Sequence, residues 1–141
     1  MLTPQPVSDQ CIVDEYFHLS SQKSNRKLGW LLGMIAVYGK SPKELEGFTW
    51  NADNTINIKG KKKPLFPLHP QWVFLFQLKE KQPRKSDCWV SLCNEFEQGV
   101  KANEIKLTTS KLLLSHGIRK LVYQYENVKQ PPVLEESFVH S

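Results

Sequence analysis

Apolar side chains at Leu28, Leu31, Leu32, Ile35 and Tyr38 recur at intervals of three and four, and Trp30, Met34 and Val37 widen the stripe. The spacing predicts a mostly buried helix from Asn25 or Arg26 to Tyr38, ended by Gly39. Ser41-Pro42-Lys43-Glu44 has the form of a capping box with proline at the first helical position, so a second, short helix starts there and ends near Gly47. After Trp50, Asn51-Ala52-Asp53-Asn54 is turn chemistry. Thr55-Ile56-Asn57-Ile58 alternates with period two, as does part of Pro64-Leu65-Phe66-Pro67-Leu68. Together they predict a hairpin with Lys59, Gly60, Lys61, Lys62 and Lys63 at its tip.

His69-Pro70 opens a third helix that turns Trp72, Val73, Leu75, Phe76 and Leu78 inward; the charged stretch Lys79 to Lys85 ends it, broken by Pro83. A short apolar piece at Trp89-Val90 precedes a helix from Ser91 to about Ala102. The last helical region runs from Thr108 to Tyr125, either continuous or restarted at Ser115, with Leu114, Ile118, Leu121, Val122 and Tyr125 as its expected core face. The sum is an α+β domain, mostly helical with a small antiparallel β-hairpin or sheet. Residues 1–24 are expected to form a partly ordered extension, with 1–11 frayed. Residues 25–128 form the domain, and 129–141 form a tail stopped by Pro131-Pro132.

Composition narrows the function classes only slightly. With 141 residues and 40% hydrophobic content, one core is expected. A net charge of +5 and a pI near 9.1 permit a polyanionic partner without requiring one. No apolar run is long enough for a membrane span, and the first residues lack the pattern of a secretion signal, so a cytoplasmic protein is expected. Three cysteines, an odd number, fit a reducing compartment, and Cys88 and Cys93 read as small buried hydrophobes rather than zinc ligands. No metal or other cofactor is expected, and no nucleotide-binding loop or hydrolase motif is present.

The order of these pieces resembles the catalytic domain of tyrosine recombinases (integrases), over about residues 26–125. The carriers are the Gly39-Lys40-Ser41-Pro42-Lys43-Glu44-Leu45 turn between two helices, the lysine-tipped hairpin, Pro67-Leu68-His69-Pro70, and the later His116-Gly117-Ile118-Arg119. Members of that family balance charge on a scissile phosphate with two arginines, a hairpin lysine and histidine-class residues, and they attack it with a tyrosine. By that resemblance, Lys61 (or Lys59) stands at the hairpin lysine, and His116 and Arg119 stand at the His-x-x-Arg box. Lys120 occupies a position that is histidine in many members. Ser41 stands where the first arginine belongs and cannot make arginine's bidentate phosphate contact. The family's tyrosine is expected farther beyond Arg119 than residues 120–141 reach, and Tyr123 and Tyr125 lie too close to that box.

The resemblance thus implies a degenerate integrase-like domain of bacterial or cyanobacterial mobile-element type, nucleoid-associated, that contacts duplex DNA phosphates without cutting the strand. Its expected contact residues are Lys40, Lys43, Lys59, Lys61, Lys62, Lys63, Arg119 and Lys120, with His116 beside them. Two alternatives follow from the same resemblance. One is a minimal recombinase that borrows its tyrosine from a partner. The other is an interaction module that regulates a full-length integrase through the apolar tail residues Val133, Leu134, Phe138 and Val139. Homo-oligomerisation belongs to the same set of expectations.

Overall fold

The computed structural model describes residues 7–84 and 88–129. The expected 129–141 tail, apart from Lys129, lies outside the described residues, as do residues 1–6 and Lys85. The order is α1 (Asp9–Ser20), a 3-10 turn (Lys23–Asn25), α2 (Arg26–Tyr38), α3 (Pro42–Leu45), β1 (Thr49–Trp50), β2 (Ile56–Asn57), α4 (Pro70–Leu75), α5 (Trp89–Lys101) and α6 (Thr109–Lys129). This is an α+β arrangement, mostly helical, with one two-stranded antiparallel sheet.

The centre is α2. Every residue from Leu28 to Tyr38 is buried, and α1, α4, α5 and α6 all pack against this helix. Its two indole and phenol groups enter the core by finding carbonyls: Trp30 Nε1 donates to Leu78 O at 2.7 Å, and Tyr38 Oη donates to Asn54 O at 2.7 Å. Tyr16 on α1 does the same with Phe76 O at 2.6 Å while its ring stacks on Phe76.

The expectation that residues 1–11 are frayed is corrected for the described residues from Val7 onward. Ser8 caps α1 through its side chain, which accepts from Cys11 N, and Ile12, Tyr16 and Leu19 join the same core as α2. The capping box at Ser41 forms as expected: Glu44 N donates to Ser41 Oγ at 3.3 Å and Ser41 N donates to Glu44 Oε1 at 3.0 Å. Replacing Ser41 with alanine should therefore cost about 1 kcal/mol, read as a shifted urea midpoint at unchanged slope. No loss would mean that α3 is held by Leu45 burial alone.

The hairpin is also corrected. β2 pairs with β1, with Thr49 opposite Asn57 and Trp50 opposite Ile56. The expected second strand contributes a single bridge, Ile56 to Leu65, with reciprocal N–H···O distances of 3.0 and 2.8 Å. Pro64 and Pro67 flank Leu65 and have no N–H to extend the ladder. The lysine tip survives: Lys61 N closes the turn onto Ile58 O, and Gly60 takes a positive φ of 84°.

Three further expectations fail on packing direction. α4 is short because Gln77 adopts φ 49°, so Leu75 is exposed while Leu78 reaches the core from beyond the helix. α5 begins at Trp89, which leaves Cys88 exposed at the N-cap rather than buried. α6 is continuous, but Leu114, Leu121, Val122 and Tyr125 face out. Its core-side residues are Leu112 and Ser115, fully buried, with His116 and Arg119 partly buried beside them.

Candidate nucleic-acid interface

Gly39, the left-handed C-cap of α2 at φ 69°, turns the chain toward Lys40 and α3. The His116 ring lies flat against this glycine, so near that a β-carbon at Gly39 would fall 2.3 Å from Nδ1. The α2–α3 corner and the middle of α6 are thereby locked together. Burial pushes the His116 pKa down to about 4; Lys120, His69 and Lys40 act in the same direction, and the Val37 carbonyl opposes them. His116 is therefore neutral at pH 7, and its Nε2 is buried without a hydrogen-bond partner.

Arg119, three residues on, faces elsewhere. One guanidinium nitrogen pairs with Asp9 Oδ1 at 2.5 Å, and the other donates to the Val7 carbonyl at 2.7 Å. The arginine thus ties the start of α1 to α6, its charge offset by Asp9. His69 completes the cluster, almost fully buried, its ring tilted by 30° against Trp72 at a centroid distance of 4.0 Å and lying 3.9 Å from Asp9. Burial lowers the His69 pKa, Asp9 opposes that shift and Arg119 adds to it.

The lysines form a separate, continuous surface. Lys40, Lys43, Lys59 and Lys61 line an open concavity of about 520 Å³ between α3 and the hairpin tip, together with Glu44, Glu46 and Ile58. Glu44 is held below the ordinary carboxylate range, first by the Ser41 backbone N–H and in smaller part by Lys40 and Lys61. Lys40 therefore stands within electrostatic reach of both Lys61's neighbour Glu44 and of His116, which also senses Lys120. Lys62 and Lys63 are exposed on the tip beside Gly60, around which a β-carbon would meet nothing within 4 Å. Of the residues expected to meet on one surface, the structure gathers Lys40, Lys43, Lys59 and Lys61; His116 packs on Gly39, next to Lys40 in the chain, while Arg119 is engaged with Asp9 and Val7.

The tyrosines divide in two. Tyr16 and Tyr38 are buried with their hydroxyls bonded to carbonyls, and burial raises the pKa of both. Tyr123 and Tyr125 are exposed on α6. Cys88, at the α5 N-cap, has its thiol pKa lowered by the Ser91 backbone N–H and hydroxyl, whereas burial raises that of Cys93. Among the described residues no three His, Cys, Asp or Glu side chains converge as metal ligands, and no helix is long and apolar enough to cross a membrane.

Asp9 and His69 escaped sequence reading as members of this cluster. A signal for Asp9 existed: Ser8 followed by Ile12, Tyr16 and Leu19 is a capped helix with its apolar face, obscured by the proline-rich start. His69 carried no such signal, because a histidine before a proline reads only as a helix boundary.

The depressed His116 pKa sets a pH dependence. The unfolded chain takes up a proton there near the ordinary value of 6.5, the folded chain only near 4. The contribution is complete above about pH 6.5, declines as pH falls through that window and levels off below about 4. Allowing for partial solvent screening, the loss should be about 1–2 kcal/mol. Urea melts at pH 7 and pH 4.5 should show a larger stability drop in the wild type than in His116→Gln; equal drops would assign the acid sensitivity to the carboxylates.

No family model matches the chain, and no curated protein or solved structure matches it.

Proposed function

We propose that this chain is a degenerate tyrosine-recombinase-like domain that binds duplex DNA through its phosphates without cutting the strand. The observation that carries the reading is the lysine concavity. Lys40, Lys43, Lys59 and Lys61 come from two separate segments onto one open surface, and Lys62 and Lys63 extend it. Among the described residues none of the six is consumed by an ion pair. Flexible ammonium groups on an open face suit the repeating negative charge of a phosphate backbone. They read no base edges, so sequence selectivity should be weak.

Two features support binding without cleavage. Ser41, at the position of the family's first arginine, is occupied as a helix cap. Arg119, at the second, has its charge matched by Asp9. Transition-state stabilisation needs unengaged cations aimed at the phosphate, and these two positions supply none.

Titrating a short fluorescent duplex at several salt concentrations tests the reading. With four lysines on phosphates, log affinity should fall against log salt with a slope of about −3.5, and a shuffled duplex should bind about equally. Absence of binding at low salt would discard the proposal and favour a protein partner. A covalent adduct on a nicked duplex would instead restore the recombinase reading.

A further inference from the structure

Phe66 is 65% exposed on a stretch of backbone that is fixed on both sides. Leu65, before it, is pinned by reciprocal hydrogen bonds to Ile56 and packs its own side chain against the core. Leu68, two residues on, donates its N–H to the Val37 carbonyl at 2.9 Å. Pro64 and Pro67 lock their own φ angles, and Pro67 disfavours helical backbone at Phe66. A ring presented this way loses little freedom when a ligand settles on it, because the chain beneath is already ordered. Lone exposed apolar residues are ordinary, but this one follows a run of cations. Lys61, Lys62 and Lys63 are exposed just before it, and no more than about 11 Å of chain separates it from Lys63. Phe74, 70% exposed, has no charged residue within four positions.

We infer that Phe66 is a stacking platform for an unpaired base, so that the preferred ligand of the lysine surface is DNA with a single-stranded stretch. The inference rests on the phosphate-binding reading above and adds a specificity element to it. Between Asp53 and Glu80 the chain carries lysines at 59, 61, 62, 63 and 79 and no carboxylate. An occupant of this edge must therefore bring negative charge as well as an apolar face. Within a duplex the faces of each base are covered by its neighbours, and uncovering one costs unstacking energy. An aromatic ring on a fixed backbone then meets only sugar and phosphate. An unpaired base offers a free π-face beside its own phosphate, which matches a phenylalanine next to a run of ammonium groups. Stacking reads no base edge, so the preference is for unpaired over paired DNA and not for sequence.

Affinities of the full chain for three labelled DNAs, at one low salt concentration, test it. They are an intact duplex, the same duplex with a short single-stranded gap, and the gapped duplex with its unpaired bases replaced by abasic residues. The gapped duplex should bind about tenfold tighter than the intact one, and the abasic version should lose that gain. Phe66→Ala and Phe66→Leu should erase the preference while holding intact-duplex affinity within about twofold, since leucine keeps apolar bulk without a π-face. Phe66→Trp and Phe74→Ala should keep it. Phe66 is exposed, so its variants should melt like the wild type. A wild type that binds the gapped duplex no better than the intact one would overturn the inference, as would a gain that survives Phe66→Ala. In either case lysine-dependent duplex binding would leave the phosphate reading standing, whereas loss of binding to all three DNAs would overturn both. A wild-type dimer in sedimentation velocity that Phe66→Ala dissolves, without any gap preference, would make a second copy the occupant and equally overturn the inference.

Discussion

Replacing Gly39 with alanine should destabilise the domain by about 3 kcal/mol, lowering the melting temperature by about 12 °C. Two costs add. A side chain at φ 69° is strained by about 1 kcal/mol relative to glycine. The new methyl group would also sit 2.3 Å from His116 Nδ1 and 2.4 Å from Cε1, which no rotation of the alanine can relieve. Separating α6 from the α2 corner to make room costs about 2 kcal/mol more. Gly60 supplies the control: its φ is 84° and a β-carbon there would meet nothing within 4 Å, so Gly60→Ala should show the strain cost alone. A His116→Ala background should restore most of the difference between the two glycines. If Gly39→Ala and Gly60→Ala were equally mild, His116 would not be seated against the corner as described.

Arg119→Ala should cost about 2 kcal/mol of stability and leave the affinity for duplex DNA within about twofold of wild type, measured where both proteins are folded. The substitution removes the Asp9 ion pair and the hydrogen bond to the Val7 carbonyl, and it leaves Asp9 facing His69 without its cation. Asp9 is about half exposed, so the loss is smaller than for a fully buried pair. Asp9→Asn should show part of the same loss, and the double variant should be less than additive, because both singles break one contact. An arginine that instead served a phosphate would give the opposite pattern: stability nearly unchanged, and affinity reduced about tenfold or more.

The periodicity of residues 28–38 and the proline-led capping box were sufficient to place α2 and α3, because both signals are local: one stripe too wide to expose, one side chain reaching its own backbone. The basic tip was legible for the same reason, although the ladder beneath it was not. Ile56 had two candidate partners in sequence, and the prolines around Leu65 gave the larger share of pairing to Thr49-Trp50. α6 shows where a pattern stops being informative. Its most regular apolar stripe, Leu114 to Tyr125, was the natural choice for the core, yet the helix is rotated so that Leu112, Ser115, His116 and Arg119 face inward. That rotation is set by Gly39, which accepts the imidazole face, and by Asp9, which takes the guanidinium. Neither partner can be read from α6 itself. The exposure of Cys88 has a simpler origin, a helix start displaced by two residues.

The candidate surface was legible as a list of lysines but not as a shape. Lys40 and Lys61 are neighbours because α3 folds its first turn toward the hairpin tip, and the sequence carries no mark of that approach. Conversely, His116 and Arg119, adjacent on one helix and expected to act on one phosphate, are separated by function. One is packed on a glycine and the other is paired across to the amino-terminal helix.

The central claim is tested most directly by comparing duplex affinity, at fixed low salt, between the wild type and Lys40→Gln/Lys59→Gln/Lys61→Gln. Lys23→Gln/Lys81→Gln/Lys101→Gln, with the same change in net charge at exposed positions on other elements, serves as the control. The lysine concavity predicts an affinity loss of about 30-fold or more in the first variant, a salt slope shallower by about 3, and a change of less than about threefold in the control. Equal losses in both variants would contradict the account, since binding would then follow net charge and not this surface.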